Sequence, residues 1–77
     1  MKKTMIDIAG SSAAVYIIED DGDFIISIPH INFSLACPAG LPPDARSETI
    51  VMHLFSMMDE DEAERIAAAV TQATAKQ

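Results

Sequence analysis

Residues 14–28 read AVYIIEDDGDFIISI, and this stretch decides how the chain folds. Two apolar runs, Ala14 to Glu19 and Phe24 to Ile28, flank Asp20-Asp21-Gly22-Asp23. The runs are rich in Val, Ile, Tyr and Phe, which fit a pleated, half-buried surface. An Asp-Gly pair between two such runs marks a hairpin with a two-residue loop, because a type I′ turn needs positive φ at both central positions. With Asp21-Gly22 as that loop, Ile18 faces Ile25, Ile17 faces Ile26 and Val15 faces Ile28. Cross-strand neighbours share a face. One face then carries Val15, Ile17, Phe24, Ile26 and Ile28, and the other Ala14, Tyr16, Ile18, Ile25 and Ser27.

The flanking sequence agrees with this sorting. Ile31 to Cys37 alternates, with Ile31, Phe33, Leu35 and Cys37 on one side. A turn at Pro29-His30 sets Ile28 opposite Ile31 and Ile26 opposite Phe33, on the same apolar face, and Pro29 suits the second position of a turn. Upstream, Thr4 to Ala9 alternates with Ile6 and Ile8 on one side, and Gly10-Ser11-Ser12 has turn composition. Ile8 opposite Val15 and Ile6 opposite Ile17 adds a further strand. The expectation is a four-stranded antiparallel meander in the order 1-2-3-4.

Pro38 to Pro43 ends the sheet as a loop. Between Asp44 and Met57 the periodicity predicts a helix, since Ile50, Val51, Leu54, Phe55 and Met58 form one arc and Met52 falls outside it as an exposed side chain. The alternative is a fifth strand at Thr49 to Phe55, which β propensity favours but alternation does not. Asp59 to Ala75 reads as a second helix. Asp59 stands at the N-cap with Glu62 three residues on, a capping box. Acids load the positive end of the dipole and Lys76 lies near the negative end. Ala63, Ile66, Ala67, Val70 and Ala73 make the buried stripe, with Asp61 and Arg65 paired on the other side. The fold class is α+β: one small domain over residues 1–77, with the sheet followed by two C-terminal helices packed on one face.

The net charge is −7, from twelve acids and five bases. That argues against direct binding to nucleic acid or an anionic membrane, and it suits a protein partner with a basic surface. The single cysteine, Cys37, has no disulfide partner, which points to a reducing, cytoplasmic setting. Met1-Lys2-Lys3 opens like a secretion signal, but Asp7 interrupts before any long apolar run. No run approaches the ~20 apolar residues a membrane helix needs.

Nothing assembles a catalytic site. His30 and His53 have neither a nucleophile nor a carboxylate at a recognisable spacing. No cofactor motif occurs. Glu19, Asp20, Asp21 and Asp23 crowd the hairpin tip, but their spacing is not that of a calcium loop, and no metal site is expected. A second acidic cluster runs from Asp59 to Glu64. Capping and the helix dipole account for Asp59, Asp61 and Glu62; Glu60 and Glu64 need no structural reason. Two acidic clusters can occupy a basic groove.

The other informative feature is the second sheet face, where Tyr16, Ile18 and Ile25 stand together beside Ala9, Ala14 and Ala36. One-sided antiparallel sheets usually carry polar residues there. An apolar patch is the usual mark of an interface, with a partner or with a second copy. In size, acidity and architecture only, and through no residue motif (the turn Asp20-Asp21-Gly22-Asp23 included), the chain resembles small phage-encoded inhibitors of the anti-CRISPR type. The resemblance implies a non-enzymatic, stoichiometric inhibitor that occupies a basic or docking surface of a nucleic-acid-handling complex. The resemblance carries over no residue; the apolar sheet face and the two acidic clusters supply the candidate contact residues, Tyr16, Ile18, Ile25, Glu19, Asp20, Asp21, Asp23, Glu60, Asp61 and Glu64. The alternative function is a small homodimeric structural or accessory protein that pairs through the sheet face.

Overall fold

The hairpin forms as its sequence dictates. Asp21 and Gly22 take φ of 54° and 85°, and the pairs Ile18–Ile25 and Ile17–Ile26 stand opposite each other. A computed structural model describes residues 1–75, so the expected role of Lys76 lies outside the described residues. The elements are β1 (Lys2–Ile8), β2 (Ser11–Asp20), β3 (Asp23–Ile28), β4 (Phe33–Pro38), α1 (Pro43–Leu54) and α2 (Glu60–Ala75), with a 3-10 turn at Pro29–Ile31. The sheet is an antiparallel meander in the order β1-β2-β3-β4, and both helices pack against it. The segment read alternatively as a fifth strand is α1.

The faces are those expected, but two registers are not. Ile28 pairs with Phe33 and Ile26 with Leu35, a slip of two residues. Proline cannot take the positive φ of a two-residue I′ turn. The chain instead makes a 3-10 turn from Pro29 and closes it at Asn32, whose φ is 58° and whose N–H donates to the Pro29 carbonyl. Ile8 pairs with Ser11 and Ile6 with Ala13, a slip of four. There the turn is Ala9-Gly10, with φ of 52° and 86°, rather than Gly10-Ser11-Ser12. An even slip keeps every side chain on its face, because the strand period is two. Its consequence is local: Ala13 enters the core, and Lys2 and Thr4 reach positions opposite Ile17 and Val15.

The core lies between the sheet and the helices. Val15, Ile17, Ile26, Ile28, Ile50, Leu54, Ile66 and Val70 are all buried there. In α2, Ala63 and Ala67 are buried as the stripe predicts, and Thr71 and Thr74 join them. The helix α1 stops at Leu54, short of Met57, and Phe55 beyond it is exposed rather than part of the buried arc. Met58 packs on the core edge and Met52 is exposed, both as expected.

At the start of α2, Asp59 Oδ1 accepts the Glu62 N–H at 3.0 Å, so the cap exists. The Glu62 carboxylate accepts from Arg65 rather than reaching back to Asp59, and this i, i+3 pair replaces the expected Asp61–Arg65 pair. Half of the capping box is therefore made. Asp59→Ala should lower unfolding free energy by about 1 kcal/mol, seen as a lower urea midpoint at constant slope. An unchanged midpoint would show that the cap contributes nothing.

Candidate partner-binding face

The side of the sheet turned away from the helices is built in rows, because antiparallel pairing puts opposed residues on one face. Lys3, Tyr16, Ser27 and Ser34 form one row; Ile18, Ile25 and Ala36 the next; Asp20, Asp23 and Pro38 the last. On the other flank of the Tyr16 row stand Met5 and Ala14. Ala9, expected beside this patch, is instead in the β1–β2 turn. Tyr16 and Ile25 are half-buried, Ile18 is 38% exposed and Met5 55% exposed. The Lys3 ammonium sits 5.8 Å from the Tyr16 ring centre, a cation–π contact that holds a basic group on this face.

The loop after β4 does not fold over the patch. The Ala39 N–H donates to the Gly22 carbonyl, and the Ala39 and Leu41 carbonyls accept from the Arg46 guanidinium on α1. Those bonds hold the loop to the hairpin tip and the helix layer.

The acidic residues divide into two groups. Asp20 and Asp23 stand directly opposite each other on the open face, beside Ile18 and Ile25. Asp21 is in the turn, and Glu19 points to the helix side at its exposed rim. Like charges facing each other across a strand pair are destabilising, so the Asp20–Asp23 pair is a local cost that the turn itself does not require. Glu60, Asp61 and Glu64 are exposed in the first turns of α2. The other end of that helix is the one at the hairpin tip, since Thr74 bonds Arg46, whose guanidinium lies 5.1 Å from the Phe24 ring centre. Sixteen helical residues span about 24 Å. The two acidic clusters therefore sit at opposite ends of the molecule, and only the hairpin cluster adjoins Tyr16, Ile18 and Ile25.

Other reactive groups are structural in their surroundings. Cys37 is buried among core residues, and burial pushes its thiol above the ordinary value, with the Arg46 guanidinium opposing and Asp23 adding to the rise. The protonated thiol packs as a small apolar group. His30 is exposed in the 3-10 turn, and His53 Nδ1 lies 2.9 Å from the Thr49 carbonyl on the outer side of α1. No group of three or more His, Cys, Asp or Glu side chains is placed to hold a metal among the described residues. No helix among them is long and apolar enough to cross a membrane.

A family model described as YueH-like protein matches residues 1–76, and the chain belongs to that family. No match is found among curated proteins or among solved structures.

Proposed function

We propose that this member of the YueH-like protein family is a non-enzymatic binding module that docks a protein partner on its open sheet face. The observation that carries the proposal is the row of Ile18 and Ile25 beside Tyr16, on the side of the sheet opposite both helices. Contiguous exposed apolar surface marks interaction sites, and tyrosine is enriched among residues that dominate binding energy. The acidic rim formed by Asp20 and Asp23 selects a partner with basic groups beside its docking surface, and Asp21 in the turn extends that rim, while Glu19 lies on the helix side of the same hairpin tip. In this reading the protein acts by occupancy. It covers a basic or docking surface of a nucleic-acid-handling complex, as a stoichiometric inhibitor of the anti-CRISPR type does. Glu60, Asp61 and Glu64 lie too far from the face to share its contact and serve a separate surface.

Replacing Ile18 and Ile25 together by threonine keeps strand propensity and removes apolar area. The double variant should stay folded by circular dichroism and lose, relative to the parent, a protein captured from lysate and identified by mass spectrometry. Rising salt should weaken the same capture, because the Debye length falls from ~10 Å at 0.1 M to ~3 Å at 1 M. A variant that captures the same protein equally well removes the face from the binding site. A variant that unfolds outright assigns Ile18 and Ile25 to the intramolecular core.

A further inference from the structure

The sheet has two edges, and they differ. β4 carries no charged residue and ends on Pro38, which has no N–H to donate. β1 is an open edge over Lys2–Ile8. Its backbone polarity follows from its turn. In a hairpin with a two-residue loop, the pair flanking the loop exchanges both hydrogen bonds, and the pairs then alternate. Ala9-Gly10 is such a loop, and Ile8–Ser11 flanks it. The N–H and C=O groups of Ile8, Ile6, Thr4 and Lys2 therefore turn towards β2. Those of Lys3, Met5 and Asp7 point outward, an unpaired ladder on a strand of seven residues.

We propose that a second copy of this chain pairs with this edge, β1 antiparallel to β1 about a two-fold axis through Met5, joining two four-stranded sheets into one of eight. Met5 is the midpoint of Lys2–Ile8, so this register keeps the entire strand paired. It also sets Lys3 of each copy opposite Asp7 of the other and Met5 against Met5. All three side chains are exposed and share the open face. Opposite charges facing each other across strands stabilise a pair, and like charges disfavour it. Centring the axis on Lys3 or on Asp7 would set that charge against its own copy. Centring it on Thr4 or Ile6 would put Lys3 or Asp7 opposite Met5 and leave the charges unmatched. A lysine on an edge strand ordinarily repels further pairing; an aspartate four positions along turns that repulsion into attraction in one register.

The helix side of the edge fits the same arrangement. A groove of about 260 Å³ runs between Lys2, Thr4 and Ile6 of β1 and Ala69, Gln72 and Ala73 of α2. The two-fold sets Ile6 of each copy opposite Thr4 of the other, so this side of the seam fills with half-buried β-branched side chains. Ala69 and Ala73 have little bulk and let the second copy's α2 approach. Backbone bonds and apolar burial supply the affinity, and the two ion pairs select the register, since exposed pairs contribute little by themselves. Edge pairing leaves Tyr16, Ile18 and Ile25 uncovered, so it stands independently of partner docking on that face.

Sedimentation equilibrium tests this directly. The parent chain should be a dimer. Lys3→Glu and Asp7→Lys should each weaken the dimer about tenfold or more, by setting two like-charge pairs across the seam, with the urea midpoint of the fold retained. The double change Lys3→Glu with Asp7→Lys restores opposite charges and should restore the dimer. Ile18→Thr with Ile25→Thr should leave it intact. A parent chain that remains monomeric well above micromolar concentration overturns the proposal, as does a dimer indifferent to Lys3→Glu or a double variant that fails to re-associate. A dimer lost on the Ile18 and Ile25 changes alone is paired through the open face, which also overturns it.

Discussion

Phe33→Ala should lower the unfolding free energy by about 3–5 kcal/mol, a large part of the total stability available to a domain this small. Phe33 opens β4, faces the helices and is buried opposite Ile28, itself fully buried. Truncation to alanine removes the ring and leaves a void beneath the helix layer that the surrounding side chains fill only in part. The next residue supplies the control. Ser34 points to the open face and is exposed, so Ser34→Ala should shift stability by no more than about 0.5 kcal/mol. Urea titration of both variants reads the difference. If Ser34→Ala were the damaging change and Phe33→Ala the neutral one, the two faces of the sheet would be exchanged.

This pair of neighbours also shows what strand sequences encode. Alternation along Ile31 to Cys37, together with the Asp21-Gly22 turn, was sufficient to place Phe33 on the core face and Ser34 on the other. Alternation was not sufficient to find its partner. A register shifted by two keeps Phe33 buried, so the apolar pattern cannot tell Ile26 from Ile28 as its neighbour. The phase is set by the turns, and two of the three were hard to read. Asn32 is a residue that tolerates left-handed backbone, but behind Pro29-His30 it looked like the second residue of a strand. Ala9 takes φ of 52°, a conformation alanine rarely adopts, so nothing in its side chain announced a turn. Asp21-Gly22 was legible because both residues favour the backbone the turn requires.

The helices were legible for a different reason. Ala63, Ile66, Ala67 and Val70 fall on one stripe whatever lies beneath them, and Asp59 caps the helix by a contact only three residues long. The candidate face follows from the same logic of subtraction. Once both helices cover Val15 and Ile17, the residues that follow each of them in sequence, Tyr16 and Ile18, face away from both helices. What could not be read was the spatial separation of the two acidic clusters, because that depends on the direction α2 takes across the sheet. Nor was the β1 edge ladder legible, because it depends on the position of the Ala9-Gly10 turn.

Arg46 is the residue whose role composition most misrepresents. Arginine early in an amphipathic helix ordinarily faces water, yet this one is 6% exposed. Its Nη1 donates to Thr74 Oγ1 at 2.8 Å, and its Nη2 to the Leu41 and Ala39 carbonyls at 2.7 and 3.1 Å. The same guanidinium lies 5.1 Å from the Phe24 ring centre. One side chain thus joins both helices, the loop after β4 and the sheet. Arg46→Ala should destabilise the fold by roughly 3 kcal/mol or more, since it opens a cavity and leaves two partly buried carbonyls without their donor. Arg46→Lys separates charge from shape. It keeps the charge but replaces a planar fork with three donors on a compact ammonium, which cannot meet the hydroxyl, both carbonyls and the ring together. It should cost about 1–3 kcal/mol. Cys37 provides a second readout besides the urea midpoint. Its thiol is buried, so a thiol reagent reaches it when the structure opens, and the labelling rate follows the population of the open state. Labelling should accelerate from the parent through Arg46→Lys to Arg46→Ala. If Arg46→Lys labels as slowly as the parent and melts at the same urea concentration, the buried positive charge holds the layers together and the geometry of the guanidinium does not.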